Sequence, residues 1–188
     1  MRIILRLLVG IWLFVAFECM SPATANNTHL NMFNFEKFGQ WIYSRPDGEW
    51  VASIQSMPDI PATAAQLYLR SNSGNVVGQL YFSYLMLIAR EAGSPVVAQL
   101  EKAIQKSSAK LDLQMNDWLM HLLLNKDRNV AMYAAEILAD LENQRFRFGL
   151  SKSDLSGKWA SLANCFSDSS KFPLTKCNAS AKKNLKMK

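Results

Sequence analysis

From residue 35 onward, apolar positions recur at spacings of three and four, the period of an α-helix. Phe35, Phe38, Trp41 and Ile42 predict a short amphipathic helix over 35–44. Arg45-Pro46-Asp47-Gly48 reads as a turn, because proline presets one dihedral and glycine supplies a positive φ. Residues 49–57 fit either a short helix or a strand. Pro61 suits the first turn of a helix running to about Arg70, and Ser71-Asn72-Ser73-Gly74 is a loop. Asn75 then caps a helix that ends near Gly93. Its polar positions, Gln79, Ser83 and Arg90, form only a narrow stripe, which places it at the buried centre. Ser94-Pro95 supplies an N-cap and a first-turn proline for the next helix. That helix turns Val97, Leu100 and Ile104 inward and Lys102, Lys106 and Lys110 outward. Asp112 opens another, with Met115, Trp118, Leu119 and Leu122 on one face. Asp127 caps the longest, which buries Val130, Ala134, Ile137, Leu138 and Leu141 and ends at Gly149. Residues 154–166 carry Leu155, Trp159 and Leu162 and predict one more helix. Residues 167–177 read as a loop and 179–188 as a basic, flexible tail.

Connections of a few residues make neighbouring helices antiparallel. The expected fold is therefore all-α: a compact antiparallel bundle of about six helices with one C-terminal disulfide. A short α-helical array is the alternative, although no repeat at about 33 to 45 residues emerges.

The first 25 residues follow a different rule. Arg2 and Arg6 precede an apolar run from Leu7 to Phe17, Pro22 breaks the helix, and Ala23-Thr24-Ala25 offers the small residues that a signal peptidase reads. The run is too short to span a bilayer, which takes about 18 or more apolar residues. Glu18 before Cys19 argues against a lipid anchor there. The expectation is a cleaved signal peptide over 1–25, a single helical domain over 26–178 and the tail over 179–188. The mature protein is expected in the periplasm or outside the cell, with no stable membrane anchor after cleavage.

Two cysteines then remain, Cys165 and Cys177. An even pair in an oxidising compartment reads as a disulfide. No histidine lies near them, and two thiolates do not complete a zinc shell, so no metal is expected. Charge is uneven. Residues 26–150 carry 11 Lys and Arg against 12 Asp and Glu, whereas residues 151–188 carry eight Lys against Asp154 and Asp168. The basic excess belongs to the last segment.

Enzyme signatures are missing: there is no G-x-S-x-G, H-E-x-x-H, P-loop or G-x-G-x-x-G motif. His29 falls in the polar start of the mature chain. Asp117 and His121 stand one helical turn apart, where a carboxylate can orient an imidazole. They share their face with Lys110, Gln114 and Asn125 and are the weak catalytic candidates, read more simply as a solvent-facing pair. Glu136 and Asp140 are also one turn apart, beside Asn143 and Arg147, on what reads as a solvated face. Arg145-Phe146-Arg147-Phe148 alternates basic and aromatic residues, a pattern that binds anions, but at a helix end the arginines also suit the dipole. The aromatics Phe33, Phe35, Phe38, Trp41, Tyr43 and Trp50 read as core before ligand groove. Asn26-Asn27-Thr28 and Asn178-Ala179-Ser180 contain glycosylation triplets, which matter only in a host that uses them.

In size, address and fold class the chain resembles small exported helical proteins with one disulfide that neutralise toxins in the bacterial periplasm. The expected function is that of an exported, non-enzymatic binding protein, most specifically an immunity protein or inhibitor of a secreted effector. No cofactor and no nucleic acid are expected. The partner is expected to be a protein with an acidic surface, and Arg145, Arg147, Lys182, Lys183 and Lys186 are the candidate contacts. The alternatives are an exported hydrolase of cell wall or lipid using Asp117 and His121, and a carrier of an apolar ligand between helices.

Overall fold

A computed structural model describes residues 34–46, 50–55, 57, 59–147 and 157–186, all within one unit, Asn31–Lys188. Residues 1–25, expected to be a signal peptide, the first glycosylation triplet, Gly149, Asp154 and Lys188 lie outside the described residues. What is described is all-helical, an antiparallel bundle without strands: α1 Phe35–Tyr43, α2 Trp50–Gln55, α3 Ile60–Asn72, α4 Val76–Ala92, α5 Ser94–Ile104, α6 Ser108–Leu122, α7 Arg128–Arg147, α8 Lys158–Ser167 and α9 Leu174–Lys186. The ambiguous segment around residues 49–57 is thus the short helix α2.

Local chemistry explains most starts. Asn34, Asp59 and Asn75 each accept from a backbone N–H three residues on, at 2.9, 2.6 and 2.8 Å, which satisfies a donor that the first turn leaves orphaned. Asp127 accepts from the Asn129 N–H at 2.9 Å. Gly93, at φ +107°, turns the chain sharply between α4 and α5. It takes the cap position expected for Ser94, which is already helical. Helix α6 begins at Ser108, a full turn before Asp112. Its cap comes from α5: the Glu101 carboxylate accepts from both the N–H and the hydroxyl of Ser108. Asp112 instead pairs with Arg90 and ties α6 to α4.

Helix α4 packs against α3, α5, α6 and α7, and it divides two apolar clusters. Leu80 and Leu87 face one with Phe38, Ile42, Leu119, Ile137, Trp159 and Phe166. Phe82, Met86 and Ala89 face the other with Ile54, Leu67, Leu100, Leu111 and Met115. The close approach of α3 and α4 depends on Gly78. A Cβ there would stand 3.1 Å from the Arg70 Cβ and 3.1 Å from the Ser71 backbone nitrogen. Gly78→Ala is expected to lower stability by about 1–2 kcal/mol, because overpacking outweighs the gain in helix propensity. Urea unfolding checks this, and a stabilised variant would show that the two helices can part without cost.

The end of the chain departs from the expected loop and flexible tail. The loop closes early and α9 runs from Leu174 to Lys186. Pro173, with its fixed φ, precedes the first turn, and its carbonyl accepts from the Lys176 and Cys177 N–H groups. Cys177 and Ala181 are fully buried, with Leu174 and Leu185 packed beside them. These four positions form one apolar stripe at helical spacing, and α9 lies on α8 through it.

Candidate functional site

Helices α8 and α9 make a hairpin. Its inner face is set by Trp159, Leu162, Ala163 and Phe166, all buried against the body of the protein. Its two helices are joined by the Cys165–Cys177 disulfide, with Cα atoms 5.7 Å apart and the cysteines at a sequence separation of 12. The turn between them is tied as well: Asp168 accepts from the Ser170 hydroxyl at 2.6 Å and the Lys171 N–H at 3.1 Å. These bonds, the serine's first, hold its carboxyl below the usual carboxylate range.

Arg128, at the start of α7, fastens the hairpin to the bundle. Its Nε donates to the Phe166 carbonyl, and its Nη2 donates to the carbonyls of Cys165 and Phe172, both at 2.8 Å. These oxygens lie at or just beyond the C-terminal end of α8, where carbonyls have no intrahelical donor. One guanidinium therefore caps α8 and holds the turn that follows it.

The outer side of the hairpin is basic and polar. Between α8 and α9 runs an open groove of about 440 Å³, lined by Lys158, Ser161, Leu162, Cys165, Ser180, Lys183 and Asn184. Ser161, Ser180 and Lys183 are exposed. Lys182 is exposed too but is not among the groove-lining residues, and Lys186 is the last residue of α9. Among the expected contacts, Lys183 lines this groove. Lys158 and the groove's hydroxyl and amide groups escaped the sequence reading, since nothing in the spacing relates α8 to α9. Arg145 and Arg147 fall in the last turn of α7. In α9, Asn178 is half-buried with its Oδ1 enclosed, so its glycosylation triplet is not presented on an open loop.

The weak catalytic pair is not assembled. Asp117 and His121 are both exposed on α6, and neither makes a side-chain hydrogen bond or ion pair among the described residues. Gln114, expected on the same polar face, is half-buried. It accepts from Tyr68 and Lys106 at 3.2 and 2.7 Å and donates to Asn72 at 2.9 Å. Of the aromatic group, Phe38 is buried and Trp41 packs on Tyr133, with ring centroids 5.1 Å apart, while Tyr43 is exposed. The rings of Phe38, Trp41 and Tyr133 wall the core.

The second carboxylate pair corrects the expectation of a solvated face. Asp140 is buried, with 6% of its surface exposed, and the Glu136 Oε2 is enclosed without a hydrogen-bond partner. The N-terminal end of α1 reaches Glu136 through Lys37 and the Asn34 N–H. Burial first, and then the charge of Asp140, push the Glu136 carboxyl up to about 7, against smaller pulls downward from Lys37 and the Asn34 backbone N–H. Tyr84 and Tyr133 stand beside the pair, and burial raises both phenols to about 12, so they remain protonated donors. Among the described residues, no three His, Cys, Asp or Glu side chains are placed to hold a metal ion. No described helix is long and apolar enough to cross a membrane.

No protein-family model, curated protein or solved structure matches this chain.

Proposed function

We propose that this chain is an exported, non-enzymatic helical binding protein, an inhibitor or immunity protein that neutralises a secreted effector by engaging an acidic surface on it. One observation carries this reading: Lys171, Lys176, Lys182 and Lys183 are exposed on a hairpin that a disulfide and Arg128 tie together. Lysines fixed on a helical scaffold lose less conformational freedom on binding than lysines on a loose tail, and they accelerate encounters with an acidic partner. The disulfide suits an oxidising compartment, as the exported reading requires.

The test is recovery of bound protein from native envelope extract, with wild-type bait and with a Lys158→Glu, Lys183→Glu double variant. Wild type is expected to retain one protein in stoichiometric amount, at a yield that falls with added salt, and the charge-reversed bait to lose it. Retention of the same protein by both baits would overturn the basic hairpin as the contact surface. An Asp117→Asn, His121→Ala bait is expected to behave as wild type.

A further inference from the structure

Resting on that reading, the geometry points to the α8–α9 groove as the seat for an acidic, extended segment of the partner protein, with its carboxylates held between Lys158 and Lys183. The argument starts from shape. A diffuse basic patch would need no concavity, yet this hairpin has a groove of about 440 Å³, and a lysine from each helix lines it. Its other polar lining groups are two serine hydroxyls and an asparagine amide, all able to donate to a carboxylate oxygen. No acidic side chain is among its described lining residues. Leu162 and Cys165 supply apolar surface on which the methylenes of a glutamate could rest. The disulfide keeps the two walls at a fixed separation, so the site is formed before the ligand arrives.

The kind of basic residue narrows the ligand. Recognition of phosphate is favoured by the planar, forked donors of arginine, and none is among the groove's described lining residues. Two separated ammonium groups, each a point charge with rotatable donors, suit successive carboxylates along a peptide. Lys158 is further positioned by the face of Trp159, whose ring centroid lies 4.6 Å from its Nζ.

The experiment titrates the intact, oxidised protein with a short glutamate-rich peptide and compares four variants. Lys158→Gln and Lys183→Gln remove one wall charge each. Ser161→Trp fills the groove and leaves the charge unchanged. Lys182→Gln removes an equal charge just outside it. The groove variants are expected to weaken binding about tenfold each, and Lys182→Gln by less than about twofold. Circular dichroism and thermal melting confirm that each variant folds; were Ser161→Trp to fail, the three lysine variants still decide. Equal weakening by all three lysine variants would overturn the groove but leave the basic surface as the contact. No weakening by any would overturn both. Two further arms use inorganic phosphate as competitor and vesicles of phosphatidylglycerol as binding surface. Displacement of the peptide by an equal concentration of phosphate, or vesicle binding that Ser161→Trp abolishes, would overturn the peptide as ligand.

Discussion

Arg128→Ala is expected to lower the stability of the folded chain by about 2–4 kcal/mol. The side chain donates to three carbonyls from three residues, Cys165, Phe166 and Phe172. Hydrogen bonds from a charged donor contribute about 1.5–3 kcal/mol each, but these share one guanidinium and water can reach part of the half-buried site, so their sum is an overestimate. Arg128→Lys should recover little, because one ammonium cannot reproduce the fork that spans both ends of the turn. Urea unfolding of the two variants checks this. A loss below about 0.5 kcal/mol in Arg128→Ala would mean that solvent serves the three carbonyls as well as the arginine does. Peptide binding should weaken too, since the turn from α8 to α9 would lose its anchor.

The second large effect is a dependence on pH. Glu136 has its carboxyl at about 7 in the fold against an ordinary value of 4.5. The folded chain therefore holds a proton between those values that the unfolded chain has released. Stability from this group is complete below the ordinary value and is lost as pH rises through about 7. The full loss is about 2–3 kcal/mol, somewhat less than the shift implies because the residue is not wholly enclosed. Glu136→Gln keeps an acceptor for the Asn34 N–H and removes the charge that burial opposes. Its stability should exceed that of wild type by about that amount near pH 8, and the two should converge near pH 4. Unfolding free energies of both proteins across that range isolate Glu136 from every other titrating group. Parallel curves would show that Glu136 ionises in the fold at no cost.

The central helix was legible because its own sequence declares it. With Asn75 as a cap and only Gln79, Ser83 and Arg90 to interrupt an apolar surface, α4 had nowhere to lie but inside. Features made by distant residues were not legible. The cap of α6 is Glu101, delivered from α5 after Gln105 takes a left-handed turn at φ +53°. The surroundings of Glu136 include Asn34 and Lys37 at the start of α1, about a hundred positions earlier, which no local spacing on α7 announces. Small residues also hid the pattern: Ala131, Ala135 and Ala139 widen the buried face of α7 beyond the positions its spacing showed. In α9 the lysines mask a stripe whose middle members are a cysteine and an alanine. The basic character of the candidate site was read from composition, and Cys165 and Cys177 from their number. Its concavity follows from the pairing of two helices, which no local spacing encodes.

The disulfide joins α8 to α9 and neither to the rest of the protein. Among the described residues, the apolar face of α8 and the bonds of Arg128 hold the hairpin to α7, and none of these is covalent. Separation of the hairpin from the bundle can therefore occur below the free energy of global unfolding, with both helices still linked to each other. Amides of α8 and α9 should then exchange with solvent deuterium as one cooperative unit, ahead of those in α4, which four neighbouring helices enclose. The segment proposed to meet a partner is by this construction the one that can leave the body intact and return to it already cross-linked.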